Sequence, residues 1–160
     1  MKTNDKAIID SPLGQILLEG DKDGLSIVKF LEEEHEITQK IPQSLAFAER
    51  QLKAYFAGEH KDFDLRLNPE GTGFQQRVWK KLQDIPSGKT TTYMEMAKQL
   101  GDPKVIRAAA SANGKNPIAI IIPCHRVIGS DNSLTGYAGG LWRKKWLLEH
   151  EQPVKQTSLF

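Results

Sequence analysis

The spacing of apolar and polar positions divides this chain into two parts of different character. Ala7-Ile8-Ile9, Gln15-Ile16-Leu17-Leu18 and Leu25-Ser26-Ile27-Val28-Lys29-Phe30 are short apolar runs of strand length. Ser11-Pro12-Leu13-Gly14 and Asp21-Lys22-Asp23-Gly24 separate them, and both have the residue chemistry of tight turns. The pattern predicts an antiparallel meander of three strands. After Pro42 the period changes: Leu45, Ala48, Leu52, Tyr55 and Phe56 recur at helical spacing, and Gly58 supplies a C-terminal stop. His35 and His60 fall in charged stretches and are expected to face solvent. Asn68-Pro69-Glu70-Gly71 reads as a linker.

Beyond the linker the pattern is helical. Thr72 with Gln75 has the form of a capping box, opening a helix whose stripe is Phe74, Val78, Leu82 and Ile85. Pro86-Ser87-Gly88 ends it. Thr92 with Glu95 repeats the capping pattern ahead of a second stripe, Tyr93, Met96, Ala97 and Leu100, which Gly101 breaks. Asp102, with Pro103 at the first helical position, caps a third helix spanning Val105 to Ala112. Two short helices joined by a tight Gly-containing turn are the sequence form of a helix-turn-helix. The expected fold class is α+β. A small antiparallel sheet with a helix would occupy residues 1–70, a helical domain 71–151, and a flexible tail 152–160.

Composition narrows the function. With 39% hydrophobic and 26% charged residues the chain reads as an ordinary soluble globular protein. No apolar run approaches the length of a membrane span, and Met1-Lys2-Thr3-Asn4-Asp5-Lys6 lacks the apolar core of a secretion signal. A cytoplasmic protein without a membrane partner is expected. The net charge of +2 conceals an asymmetry, with nine Lys+Arg against fourteen Asp+Glu in residues 1–70 and thirteen against six in residues 71–160. The basic half suggests a polyanionic partner such as nucleic acid. In its third helix Arg107 stands among Ala108, Ala109, Ala110, Ser111 and Ala112, so one long cation projects from a face of small side chains. Small residues at this spacing also suit tight helix packing. Their place in a helix-turn-helix within the basic half favours contact with double-stranded DNA. The lack of long polar side chains argues against base reading in the major groove and for a shape-based minor-groove mode.

Cys124 is the only cysteine, set in Ile121-Ile122-Pro123-Cys124-His125-Arg126-Val127. A solitary thiol can form neither an internal disulfide nor a cysteine-rich zinc site. A reactive thiolate and a small buried hydrophobe are both open readings of this segment. Ile118 to Ile122 reads as a buried extended segment delivering Cys124 beside the Arg107 helix. On an extended strand Cys124 and His125 would point to opposite faces, so a water or a turn would have to link thiol and imidazole.

Taken together these elements resemble the O6-alkylguanine-DNA alkyltransferases, the methylated-DNA–protein-cysteine methyltransferases. The matching segments are Pro123-Cys124-His125-Arg126-Val127, Arg107-Ala108 ahead of Asn116-Pro117, Gly136-Tyr137-Ala138-Gly139-Gly140, and Lys144 with Leu147-Leu148 and Glu151. Gly71-Thr72-Gly73-Phe74-Gln75-Gln76-Arg77-Val78-Trp79 and Ile85-Pro86-Ser87-Gly88 add to them, and Ser11-Pro12-Leu13-Gly14 is similar to the family's N-terminal hairpin. The resemblance covers nearly the whole chain.

That resemblance implies irreversible transfer of an alkyl group from O6-alkylguanine, with O4-alkylthymine a further candidate, to Cys124 after the base is flipped from the duplex. It implies a catalytic set of Cys124, His125, Glu151, Asn116 and Tyr93. His125 would accept the thiol proton, Glu151 would hold its far nitrogen, and Asn116 would support the turn. Arg107 would fill the space left by the base, Tyr93 would push on the phosphate, and Ala108 would line the groove. Ser130 with Tyr137 and Ala138 would bind base or strand, and Lys144 belongs to the same DNA- and substrate-binding set. The family works without a metal or organic cofactor in this step, and a monomer is expected. Asn113 stands where some relatives carry a larger apolar residue, which is expected to loosen the Arg107 helix. Asp131-Asn132 replaces glycine found in many relatives. Two rival readings are a lesion sensor, whose members carry another residue at the position of Cys124, and a cysteine hydrolase, which leaves the helix-turn-helix unexplained.

Overall fold

The computed structural model describes residues 4–152, and its chain forms two compact units. One holds the described residues up to Glu70 together with Pro117–Ala119, the other Gly71–Asn116 and the described residues from Ile120 onward. Residues 153–160, most of the expected tail, lie outside the described residues.

The first unit is built on a three-stranded antiparallel sheet in the order β1 (Asp5–Ile9), β2 (Ile16–Asp21), β3 (Gly24–Phe30). The expected meander forms because its turns form. Gly14 takes φ +103 and donates its N–H to Ser11 O at 3.1 Å, closing the first hairpin. Alternation buries Ala7 and Ile9 on β1, and Ile16 and Leu18 on β2. On β3 the buried set is Leu25, Val28 and Phe30, which breaks the period of two. A register shift explains it: Glu19 pairs with Ile27 but Gly20 pairs with Leu25, leaving Ser26 as the extra residue of a bulge. Gly20 is required there, since a Cβ would lie 2.7 Å from Gly24 O. Helix α1 (Ala46–Phe56), entered through a short 3-10 turn at Gln43–Leu45, buries Ala48, Leu52 and Tyr55. Ile118 joins this unit through a parallel bridge to Val28. His35 is exposed as expected, but His60 is not solvated: its ring is half-buried and packs edge-on to Phe63 at 5.8 Å.

The second unit carries α2 (Gly73–Leu82), β4 (Thr91–Thr92), α3 (Tyr93–Gln99), α4 (Ile106–Gly114), β5 (Val127–Ile128) and α5 (Leu141–His150). The local start signals act as the sequence indicates. Thr72 and Gln75 form a reciprocal capping box, with Gln75 N–H donating to Thr72 Oγ1 at 3.1 Å and Thr72 N–H to Gln75 Oε1 at 2.9 Å. Thr92 Oγ1 accepts from Glu95 N–H at 3.1 Å, and Asp102 Oδ1 accepts from Lys104 N–H at 2.9 Å. After Asp102 a 3-10 turn at Pro103–Val105 precedes α4, which therefore starts and ends slightly later than the spacing suggests.

The buried face of α2 is Val78, Trp79 and Leu82, while Phe74 is only half-buried and Ile85 lies past the helix end. Trp79 is 2% exposed and donates its indole N–H to Ala112 O at 2.8 Å, tying α2 to the end of α4. Among the described residues no helix is long and apolar enough to cross a membrane. Replacing Trp79 by Phe removes both volume and the donor to a buried carbonyl, so Trp79→Phe is expected to lower stability by on the order of 2–4 kcal/mol, read as a drop in the urea midpoint.

Candidate active site

The segment expected to be extended is instead a tight double turn. Ile120 has φ +73, a left-handed conformation that costs a β-branched residue about 1–2 kcal/mol, and it is held there while almost fully buried. Pro123 at φ −81, ψ 62 forms an inverse γ-turn, with Cys124 N–H donating to Ile122 O at 2.8 Å. Cys124–Arg126 then form one 3-10 turn that leads into β5. Two asparagines brace it. Asn116 Nδ2 donates to Ile122 O at 2.7 Å and Asn113 Nδ2 to Cys124 O at 3.4 Å. Asn113 is 3% exposed, and its bond to the Cys124 carbonyl ties the end of α4 to this turn. The short parallel pairing of Thr91 with Val127 and Thr92 with Ile128 sets Tyr93, the first residue of α3, close to the same turn.

A shared carboxylate organises the charges. His125 is fully buried and its Nε2 lies 2.8 Å from Glu151 Oε2, while its Nδ1 is buried without a hydrogen-bond partner. Glu151, the residue after α5, is 4% exposed. Arg126 grips the same carboxylate, with Nε donating to Oε1 at 2.8 Å and Nη2 to Oε2 at 2.9 Å, and its Nη1 donates to Ile85 O at 2.6 Å. Burial pushes the Glu151 carboxyl up, but the charge and hydrogen bond of His125, then those of Arg126, hold it well below the usual carboxylate range. An ionised Glu151 makes Nε2 the donor and leaves Nδ1 with its lone pair. Sequence reasoning named Arg126 only as a motif neighbour, and no local signal pairs residues 25 positions apart.

Cys124 is 6% exposed. Burial raises its thiol, opposed by a hydrogen bond from Asn116, the Lys144 charge and its own backbone, and the balance lies on the raised side. Unaided, this sulfur is a thiol at neutral pH and needs a base. Lys144 is fully buried and donates to Val127 O and Thr135 O, both at 2.7 Å, and to Gly136 O at 3.5 Å. Burial pulls its ammonium down to about 8. It therefore fastens the 129–140 loop from inside and presents no surface to a strand.

Tyr93 is half-buried and donates its hydroxyl to Thr135 O at 3.3 Å, the carbonyl that Lys144 also binds. Burial raises its hydroxyl, the Thr135 bond lowers it, and the charge of Cys124 raises it further. Tyr137 has a buried hydroxyl without a partner, raised well above its ordinary value by burial and then by Cys124 and Glu151. Ser130 and Ala138 are exposed on the loop, as are Arg107 and Ala108 on α4. Asn132 takes φ +65, a conformation asparagine tolerates and glycine favours. Among the described residues no group of three or more His, Cys, Asp or Glu is placed to hold a metal ion.

A buried thiol, a buried histidine and an ionised carboxylate on the unit that carries α3 and α4 have the form expected of a transferase with a helix-turn-helix. The comparisons with known proteins agree with that class. Residues 73–153 match the profile described as "6-O-methylguanine DNA methyltransferase, DNA binding domain", and residues 6–69 that of the "ribonuclease-like domain" of the same enzyme. A methylated-DNA–protein-cysteine methyltransferase of Methanosarcina acetivorans is 53% identical over 152 residues, covering 91% of this chain and 96% of the relative. The solved O6-methylguanine methyltransferase of Mycobacterium tuberculosis superposes with a TM-score of 0.85 at 46% identity, covering 98% of this chain and 97% of that one. A structure of the Mycobacterium tuberculosis protein in complex with DNA gives 0.82 at 49% identity, covering 94% of each. This chain belongs to the 6-O-methylguanine DNA methyltransferase family.

The depressed Glu151 carboxyl has a thermodynamic consequence. A group whose folded value lies below its unfolded value of about 4.3 adds stability above that pH and loses it as pH falls toward the folded value. Glu151→Gln is therefore expected to be less stable than wild type at neutral pH by on the order of 3 kcal/mol, because Arg126 keeps a buried charge without its anion. The gap narrows as pH falls below about 4. Urea denaturation of both proteins across this range checks it.

Proposed function

We propose that this protein repairs alkylated DNA by direct reversal, transferring the alkyl group of O6-alkylguanine to Cys124 once and irreversibly. The observation that carries the reading is the buried Cys124 beside a histidine whose Nδ1 is free and whose Nε2 is bound to an ionised Glu151. A thiol this buried cannot reach an O6 substituent inside a base stack, so the damaged base must leave the duplex.

In the proposed sequence His125 Nδ1 takes the thiol proton, directly or through a water, and Glu151 stabilises the imidazolium. Sγ attacks the alkyl carbon in line, the carbon–O6 bond breaks, and its electron pair leaves with the guanine. Tyr93 or a water protonates the departing base. The product is a thioether with no carbonyl to hydrolyse, so the protein stops after one event. O4-alkylthymine offers the same alkyl–oxygen bond and is a second candidate substrate.

DNA binding falls to the unit carrying α3 and α4. Exposed Arg107 fills the space of the flipped base, and Ala108 allows close approach of α4 to the minor groove. Exposed Ser130 and Ala138, with Tyr137, contact base or strand. Lys144 contributes by holding the loop that bears them, and Asn116 by bracing the Cys124 turn. The protein acts as a monomer in the cytoplasm, and affinity falls with salt as phosphate contacts require.

Two variants test this reading. Cys124→Ser is expected to bind methylated duplex and transfer no methyl, and transfer by that variant would overturn the mechanism. Arg107→Ala is expected to slow single-turnover transfer from duplex DNA by on the order of tenfold or more, because extruding a base costs a few kcal/mol, while leaving transfer from free O6-methylguanine unchanged. Equal slowing on both substrates would contradict the assigned role.

A further inference from the structure

A guanidinium and an imidazole share one buried carboxylate in this site. Glu151 accepts two hydrogen bonds from Arg126, at 2.8 and 2.9 Å, and one contact from His125 at 2.8 Å, with Oε2 shared between guanidinium and imidazole. A carboxylate paired with the imidazole alone would favour the imidazolium at rest. An imidazolium cannot accept the proton of Cys124. The guanidinium is a permanent charge on the same carboxylate and offsets part of the pull on the imidazole, and its Nη1 bond to Ile85 O at 2.6 Å fixes the fork in place.

We propose that Arg126 is a positioning residue that sets the resting charge of the site, keeping His125 a neutral imidazole with a free Nδ1 and Cys124 a thiol until substrate arrives. The other titratable or charged groups near the cluster are Lys144 and Arg143 on α5, Tyr93 at the start of α3 and Tyr137 on the 129–140 loop. Lys144 is spent on three carbonyls and Tyr93 on Thr135 O, so neither takes the place of Arg126 on Glu151. Balance in the reaction follows. The proton leaving Sγ goes to Nδ1, the new positive charge sits against Glu151 only in the course of transfer, and the electron pair of the broken carbon–O6 bond leaves with guanine. Arg126 thereby limits premature ionisation of a thiol that can react only once. This inference rests on the proposed alkyl transfer, but its test does not.

The experiment uses the full chain in a Cys124→Ser background, where the thiol no longer couples to the ring. Ring protonation of His125 is followed by NMR in that protein and with Arg126→Gln or Arg126→Lys added. Arg126→Gln keeps a donor to Glu151 but removes the charge, and the ring is expected to take up its proton about one pH unit higher, a tenfold change in the equilibrium. Arg126→Lys keeps the charge and is expected to stay near the parent. An unchanged midpoint in folded Arg126→Gln overturns the proposal, as does an equal rise in both variants, which would assign the effect to lost geometry. With Cys124 restored, the acid limb of methyl transfer should move with the ring in Arg126→Gln. A ring shift in a protein that transfers no methyl would leave this inference standing and remove the alkyl-transfer reading instead.

Discussion

The buried carboxylate of Glu151 is the interaction on which the site depends. It closes the end of α5 against the turn that carries Cys124, and it meets His125 and Arg126 on that turn at once. Burying this anion is unfavourable unless its lone pairs are filled, and three charge-assisted contacts fill them. Everything else about the nucleophile follows from that anchor. The imidazole has a defined tautomer, Nδ1 is left open, and the thiol stays buried and protonated.

The second constraint is the backbone that presents the sulfur. A left-handed Ile120, a γ-turn at Pro123 and a 3-10 turn from Cys124 are strained conformations or ones with poor hydrogen-bond geometry. They persist because Asn113, Asn116 and Lys144 add side-chain bonds to the buried carbonyls of Cys124, Ile122 and Val127. Polar side chains inside this unit are therefore spent on backbone geometry, which is how the Cys124 turn is held in place.

Local features were legible in the sequence and long-range ones were not. Thr72, Thr92 and Asp102 announce their helices because a cap bonds an amide two or three residues away. The meander follows from turn residues and alternation, although the bulge at Ser26 lies beyond what periodicity can place. Ile118 to Ile122 misleads because an apolar β-branched run looks like a strand, while the actual path is set by Asn116 and by Pro123. Arg126 stands in the sequence only as a neighbour of Cys124, while Lys144 is a long cation in a basic half, which steers it toward DNA. Only the fold shows that one grips Glu151 and the other three carbonyls, both indoors. The bond of Asn113 to a carbonyl eleven residues on is equally out of reach of local pattern.

The central claim is that one buried thiol accepts one alkyl group and keeps it. Intact mass spectrometry of the protein with excess duplex DNA containing O6-methylguanine tests it most directly. The account predicts a gain of one methylene unit per chain, located to the peptide bearing Cys124, with repair ceasing when every chain is modified. Continued loss of methylguanine from the DNA by protein of unchanged mass would contradict it.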